Sequence, residues 1–185
     1  MQQKKIIGII GEQASGKGAA ADIIRNKYGG SRLTYSNILR RTTDSLHLEA
    51  SRDNLINMAL VLKKGFGDDV LSKAMIKDVE GEDTDLVIVD GFRMPGDPES
   101  FREAFGKNFT FIYVTADQKL RYERSVGRGE KAGESEASFE EFASKESLKT
   151  ESSVSEVAKS ADYKIENNGG IEELEEKIIK IMSKI

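Results

Sequence analysis

Five short runs dominated by Ile, Val, Tyr and Phe punctuate the chain, at residues 5–10, 32–35, 85–90, 109–114 and 163–166. Their branched and aromatic content predicts strands. The run Leu86-Val87-Ile88-Val89 is apolar at every position rather than at alternate ones, and Ile6 to Ile10 is interrupted only by Gly8. A strand apolar on both sides must be covered on both sides, as in a parallel sheet enclosed by helices. Between the second and third runs the spacing predicts three helices, over 36–48, 52–64 and 68–79, with Gly65-Phe66-Gly67 separating the last two. These form a helical insertion over 36–80. The final helix places Ile171, Leu174, Ile178 and Ile181 on one packing stripe, with glutamates early and lysines late to suit the helix dipole. Residues 129–160, rich in Ser and Glu, leave two readings open. They form either a lid or a solvated pair of short helices over 138–147 and 152–161, packed through Phe139, Phe142 and Leu148. The fold class is α/β: a three-layer arrangement with five parallel strands between helices, in one domain over 1–185, long enough to bury a core without staples.

Charge and composition narrow the partners. A net charge of −4 gives no general attraction to DNA or to an anionic membrane, so any phosphate binding must be local. There is no cysteine, which removes disulfides and thiolate metal sites, and the single histidine, His47, reads as structural. Two lysines precede a short strand-like run, and no run approaches the roughly 18 apolar residues of a membrane span. The expectation is a cytoplasmic protein without signal peptide, DNA partner or membrane partner.

The chemistry concentrates after the first strand. Gly11-Glu12-Gln13-Ala14-Ser15-Gly16-Lys17-Gly18 leads into a helical pattern from Ala19. A buried strand turning sharply into a helix aims backbone N–H groups and the positive helix end at one point, where a di- or triphosphate can sit. Gly11 and Gly16 permit close backbone approach, and Lys17 reaches the β- and γ-phosphates. Gly11, Gln13, Ala14, Ser15, Gly16, Lys17, Gly18 and Ala19 are therefore the expected nucleotide-binding residues. The usual pattern continues with Ser or Thr, whose hydroxyl binds Mg²⁺, whereas Gly18, Ala19 and Ala20 follow Lys17 here. A metal would then be held through water. The third strand ends in Asp90-Gly91-Phe92-Arg93. At the C-terminal edge of an open α/β sheet, Asp90 can take a Mg²⁺-bound water and Arg93 can clamp an acceptor phosphate with its planar fork.

Several motifs resemble those of adenylate kinases and related nucleoside monophosphate kinases of the P-loop superfamily. Gly16-Lys17-Gly18 is similar to their loop, although they usually have Thr where Ala19 stands. Asp90-Gly91-Phe92-Arg93 resembles their Asp-Gly-Phe-Pro-Arg without the proline. Ser36-Asn37-Ile38-Leu39-Arg40 resembles Gly-Asp-Met-Leu-Arg, whose arginine binds the monophosphate, so the resemblance implies Arg40 at the acceptor, with Arg52 and Arg41 as further candidates. Arg124-Ser125-Val126-Gly127-Arg128 fits the Arg-x-x-Gly-Arg element that opens their lid, which makes Arg121, Arg124, Arg128 and Arg93 available to a polyphosphate. The chain also resembles kinase-like proteins related to dephospho-coenzyme A kinases, through Asp-Gly-x-Arg and through Ala161-Asp162-Tyr163-Lys164-Ile165-Glu166-Asn167. That likeness implies Asn167 beside an adenine. One departure is that no arginine follows Arg128; Lys131, Lys145 and Lys149 offer point charges without bidentate geometry. Together these resemblances imply ATP and Mg²⁺ as cofactors, Lys17, Arg93, Arg124 and Arg128 as catalytic groups, and a nucleoside monophosphate as the small phosphorylated acceptor. Two alternatives follow from the same likeness: a slow ATPase switch acting on a protein or RNA partner, and a dephospho-coenzyme A kinase.

Overall fold

The computed structural model describes residues 4–128, 138–146 and 149–185. Its five strands are β1 (Lys5–Ile10), β2 (Ser31–Thr34), β3 (Leu86–Asp90), β4 (Phe109–Thr115) and β5 (Tyr163–Glu166), in the spatial order β2-β3-β1-β4-β5. All neighbours run parallel. The helices are α1 (Lys17–Tyr28), α2 (Tyr35–Ser45), α3 (Arg52–Phe66), α4 (Val70–Gly81), α5 (Gly96–Phe105), α6 (Gln118–Arg128), α7 (Phe139–Glu146), α8 (Lys149–Ala158) and α9 (Ile171–Met182), with a 3₁₀ turn at Gly106–Asn108. No helix among the described residues is long and apolar enough to cross a membrane.

Strand periodicity divides the interior into two layers. Ile6 and Ile10 of β1 join Val87 and Val89 in a core covered by α2, α4, α5 and α8, while Ile7, Ile9 and Ile88 face α1 and α9. Every residue of β3 is buried, which explains its uninterrupted apolar run. Gly8 is a packing requirement: a Cβ there would stand 2.8 Å from ring carbons of both Phe109 and Phe111. Those rings belong to an aromatic cluster centred on Phe92, whose ring lies 5.5 Å from Tyr35, 5.2 Å from Phe101, 6.1 Å from Phe109 and 4.9 Å from Phe111, centroid to centroid. Edge-to-face contacts of this kind fix ring orientation as well as burying area. Phe92 therefore anchors the segment that follows Asp90.

Several boundaries differ from expectation for local reasons. Helix α1 begins at Lys17 rather than Ala19, because Gly16 adopts φ 97° and turns the chain into the helix one residue before the lysine. Tyr35 opens α2 instead of ending β2, since its buried ring packs on Phe92 and its hydroxyl shares a 3.1 Å hydrogen bond with Ser72 of α4. Helix α2 stops at Ser45, where exposed His47 reverses the chain with φ 55°, and α3 runs through Gly65 to Phe66 before Gly67 ends it. Ile171 is exposed rather than part of the α9 stripe. It is the first residue of that helix, and only from Leu174 onward do Leu174, Ile178 and Ile181 meet the sheet. In the region expected as lid or helix pair, α7 and α8 bury Phe142, Val154 and Val157, and Tyr122 of α6 packs edge-on against Phe139 and Phe142. Residues 129–137 of that region, and Leu148, lie outside the described residues.

Removing the Phe92 ring leaves four aromatic neighbours facing a cavity. Phe92→Ala should lower unfolding free energy by about 3–5 kcal/mol, measured by urea denaturation. A loss under about 1 kcal/mol would show that the ring does not organise this core.

Candidate active site

The segment joining β1 to α1 is shaped by contacts that leave no room for side chains. At Gly11 a Cβ would run into the Val114 carbonyl of β4 and lie 2.5 Å from the Ser15 hydroxyl. Gly16, in the left-handed region, lies so close to Asn167 that a Cβ would meet its amide nitrogen. Ala14 is also left-handed, at φ 59°, a conformation that costs a non-glycine residue energy and that the surrounding contacts must impose. The Ser15 N–H donates to the Glu12 carbonyl at 3.2 Å, closing the turn. The Ser15 hydroxyl is fully buried and has no hydrogen-bond partner. Lys17 opens α1, and its Nζ lies 3.4 Å from the Glu12 carbonyl, so the ammonium spans the loop it follows. The first-turn amides of α1 have no helical acceptor by the geometry of any helix, and the dipole adds positive charge at the same end.

Three neighbouring elements hold this loop in place. Asn167, buried at the end of β5, donates its side-chain amide to the Ser15 carbonyl at 2.8 Å. The resemblance puts Asn167 beside an adenine, and in the structure its side-chain amide holds the loop. The same element works at the other end of β5, where Asp162 accepts from the Phe111 amide at 2.7 Å. From α6, buried Arg121 donates to the Ala116 carbonyl at 2.9 Å and to the Gln13 carbonyl at 3.4 Å. One turn on, Arg124 donates to the carbonyls of Asn167 at 2.9 Å and Gly169 at 3.1 Å. Gln13 itself reaches the Ser125 hydroxyl at 3.4 Å. The third element is β4: Tyr113 and Thr115 both donate to Glu12 Oε1, the latter at 3.3 Å. Burial, together with that carboxylate, pushes the Tyr113 hydroxyl up to about 12. An acidic residue inside an anion-binding loop is thereby held on the sheet.

At the tip of β3, Asp90 is buried and pairs with a residue not singled out from sequence. Arg32 Nη2 donates to Asp90 Oδ2 at 3.0 Å, and Nη1 lies 3.3 Å from Asp22 Oδ1 of α1. Asp90 Oδ1 is buried without a partner. The loop beyond is capped by Asp97, which accepts the backbone N–H groups of Arg93 at 2.9 Å and Met94 at 2.8 Å and the Ser72 hydroxyl at 2.6 Å. The expected acceptor arginines 40, 52 and 93 are exposed. Arg40 and Arg93 follow neighbouring strands whose ends are in register, Thr34 opposite Asp90, so both chain segments leave the same edge of the sheet. Arg52 opens α3 beside its capping residue Ser51. Arg41 instead forms an ion pair with Asp78 of α4 at 2.6 Å, which uses its guanidinium within the insertion. Arg128 ends α6, but its side chain, like those of Lys131, Lys145 and Lys149, lies outside the described residues.

These residues fit a polyphosphate: a loop whose Gly11 and Gly16 let it pack closely against β4 and Asn167, a buried hydroxyl without partner, a helix start and a lysine meet at the end of the central strand. They fit a protein-held magnesium ion poorly. Residue 18 has no hydroxyl, one Asp90 oxygen is already bound by Arg32, and among the described residues no three His, Cys, Asp or Glu side chains gather as a metal site. Asp90, expected to hold a metal through water, is thus first of all the partner of an arginine.

Comparison with known proteins agrees with this geometry. The family model described as AAA domain matches residues 10–143. A UPF0200 protein of Sulfurisphaera tokodaii is 31% identical over 182 residues, covering 98% of this chain and 97% of its own. The UPF0200/UPF0201 protein of Archaeoglobus fulgidus is 29% identical over 185 residues and covers 99% of this chain, which spans only 56% of that relative. Shikimate kinase from Bacteroides thetaiotaomicron has the same fold, with a TM-score of 0.63 over 97% of this chain and 98% of its own at 13% identity. On the match across its loop, sheet and insertion, the chain belongs to the AAA-domain family, with UPF0200 proteins among its relatives, and carries the P-loop kinase fold.

Proposed function

We propose that this protein binds ATP at the loop from Gly11 to Ala19 and transfers its γ-phosphoryl group to a small phosphorylated acceptor, a nucleoside monophosphate. The observation that carries the reading is the loop itself, with Lys17 at the start of α1 and the Ser15 hydroxyl buried without a partner. In the transfer, an acceptor phosphate oxygen forms a bond to Pγ while the bond from Pγ to the bridging oxygen of ADP breaks. The attacking group is already an anion, so catalysis consists of positioning and charge stabilisation. Lys17 and the first-turn amides of α1 hold the β- and γ-phosphates. Arg121 and Arg124 fix the loop and the segment after β5 from the α6 side. Arg40 and Arg93 reach an acceptor from the edge beyond β2 and β3. A magnesium ion, if bound, would be held by the nucleotide's phosphates and would supply charge neutralisation there.

A second reading, an ATPase switch that docks a partner, draws support from the insertion. Leu46, Leu48, Ile56, Leu60, Val61 and Phe66 are all exposed there, and α3 has no buried residue. Exposed apolar side chains gathered in one insertion suit a macromolecular partner more than a small polar acceptor.

Lys17→Ala should abolish measurable turnover and weaken ATP binding by at least about tenfold while the protein remains folded. Calorimetry and circular dichroism decide this together, and unchanged affinity with unchanged turnover would remove the nucleotide reading.

The kinase and switch readings separate in a coupled assay across monophosphates, dephospho-coenzyme A and water. With a monophosphate acceptor, Arg40→Ala and Arg93→Ala should each raise its KM or lower kcat by about tenfold or more, leaving ATP affinity nearly intact. Steady hydrolysis with no acceptor phosphorylated, and no effect of either variant, would favour the switch.

A further inference from the structure

In P-loop proteins the residue after the loop lysine supplies a hydroxyl to Mg²⁺. Here that residue is Gly18. Among the described residues, apart from its chain neighbours and the backbone of its own helix, the heavy atom within 4 Å of a Cβ built on Gly18 is Arg32 Nη2, at 3.9 Å. The same nitrogen donates to Asp90 Oδ2 at 3.0 Å, and the other terminal nitrogen lies 3.3 Å from Asp22. Arg32 reaches this point because β2 alternates: Leu33 faces the aromatic core, so Arg32 faces α1, on the side where Asp90 projects from β3. A positive charge therefore stands between the start of α1 and the aspartate at the strand tip, the two places a metal would otherwise join.

The cluster is not closed upon itself. Arg32 Nε and Asp90 Oδ1 are both buried without partners, so donor and acceptor capacity remain beyond the ion pair. A guanidinium stays charged at any physiological pH; its Nη2 holds Asp90 and its Nη1 lies by Asp22, which Arg25 also pairs at 3.2 Å, so the charge of Arg32 is not consumed by Asp22 alone. Without Arg32, Asp90 would set an uncompensated negative charge beside the phosphates. With it, the aspartate is neutralised in advance.

We infer that Arg32 is the resident cation of the phosphate site, standing in the place of the metal ion and facing the bound phosphates, so that nucleotide binding does not depend on a divalent cation. This rests on the nucleotide reading above. A salt bridge that merely ties β2 to β3 would have no bearing on metal dependence, which is the property that distinguishes the two.

The experiment is calorimetric titration of the whole protein with β,γ-methylene ATP, in EDTA and in excess Mg²⁺. Wild-type affinity should agree within about threefold between the two conditions. Arg32→Met should lose about tenfold or more in EDTA and recover part of it when Mg²⁺ is added, as Asp90 is released to accept the ion, while Arg32→Lys should retain more of the metal-free affinity. Binding by the wild type only in Mg²⁺ would overturn the inference and leave the nucleotide reading standing. Binding in neither condition would overturn both. A folded Arg32→Met with unchanged metal-free affinity would also overturn it, and should that variant fail to fold, the wild-type comparison decides alone.

Discussion

The turn between β1 and α1 has to hold several backbone amides facing one point, an arrangement that those amides do not themselves stabilise. Helix and sheet satisfy their own backbone groups; such a loop does not, and its left-handed residues at Ala14 and Gly16 add strain. Stability must come from outside. It comes from three directions: Asn167 on the Ser15 carbonyl, Arg121 on the Gln13 carbonyl, and β4 through Glu12. Asn167 and Arg121 are themselves buried, and the loop follows a strand covered on both sides. The parallel sheet order that places β1 between β3 and β4 is what brings those supports within reach.

That dependence explains which features could be read from the sequence. Strands β1 and β3 declare themselves because burial on both faces demands unbroken apolar runs, and the loop declares itself because close backbone approach demands glycine. Both are local signals. Arg32 carries no local signal: it lies in a short strand, 58 residues before the Asp90 it binds, and only the parallel pairing of β2 with β3 brings them together. Arg121 is one turn from Arg124, yet nothing in that spacing shows that it is buried against the loop. The position of Asn167 next to Gly16 is likewise a contact across 150 residues of chain, invisible until β5 is placed beside β4. Element ends moved for the same reason, as with Tyr35, whose ring is claimed by the aromatic cluster although its sequence neighbours are strand-like.

An acidic composition leaves room for a local anion site because of where the acids are held. Glu12 is bound by Tyr113 and Thr115, Asp90 and Asp22 by Arg32, and Asp97 by two backbone amides and Ser72. Each of these carboxylates accepts from a neighbouring donor, with Asp90 and Asp22 sharing Arg32. A chain with a net charge of −4 can thus present a local attraction for anions without a basic surface, and the selectivity that results is geometric rather than a matter of overall charge.

The two halves of the site are built to different tolerances, and this decides how far function can be read from form. On the loop side, glycine clearances and buried hydrogen bonds leave few alternatives, so the chemistry recognised there follows from backbone geometry that many P-loop proteins share. On the acceptor side the candidate side chains Arg40, Arg52 and Arg93 stand exposed on α2, α3 and the turn before α5, and α3 buries none of its residues. Exposed positions of this kind vary more readily among proteins of one fold than buried ones do. A side chain added at Gly11 or Gly16 would thus meet backbone and buried groups, whereas Arg40, Arg52 and Arg93 project from exposed positions.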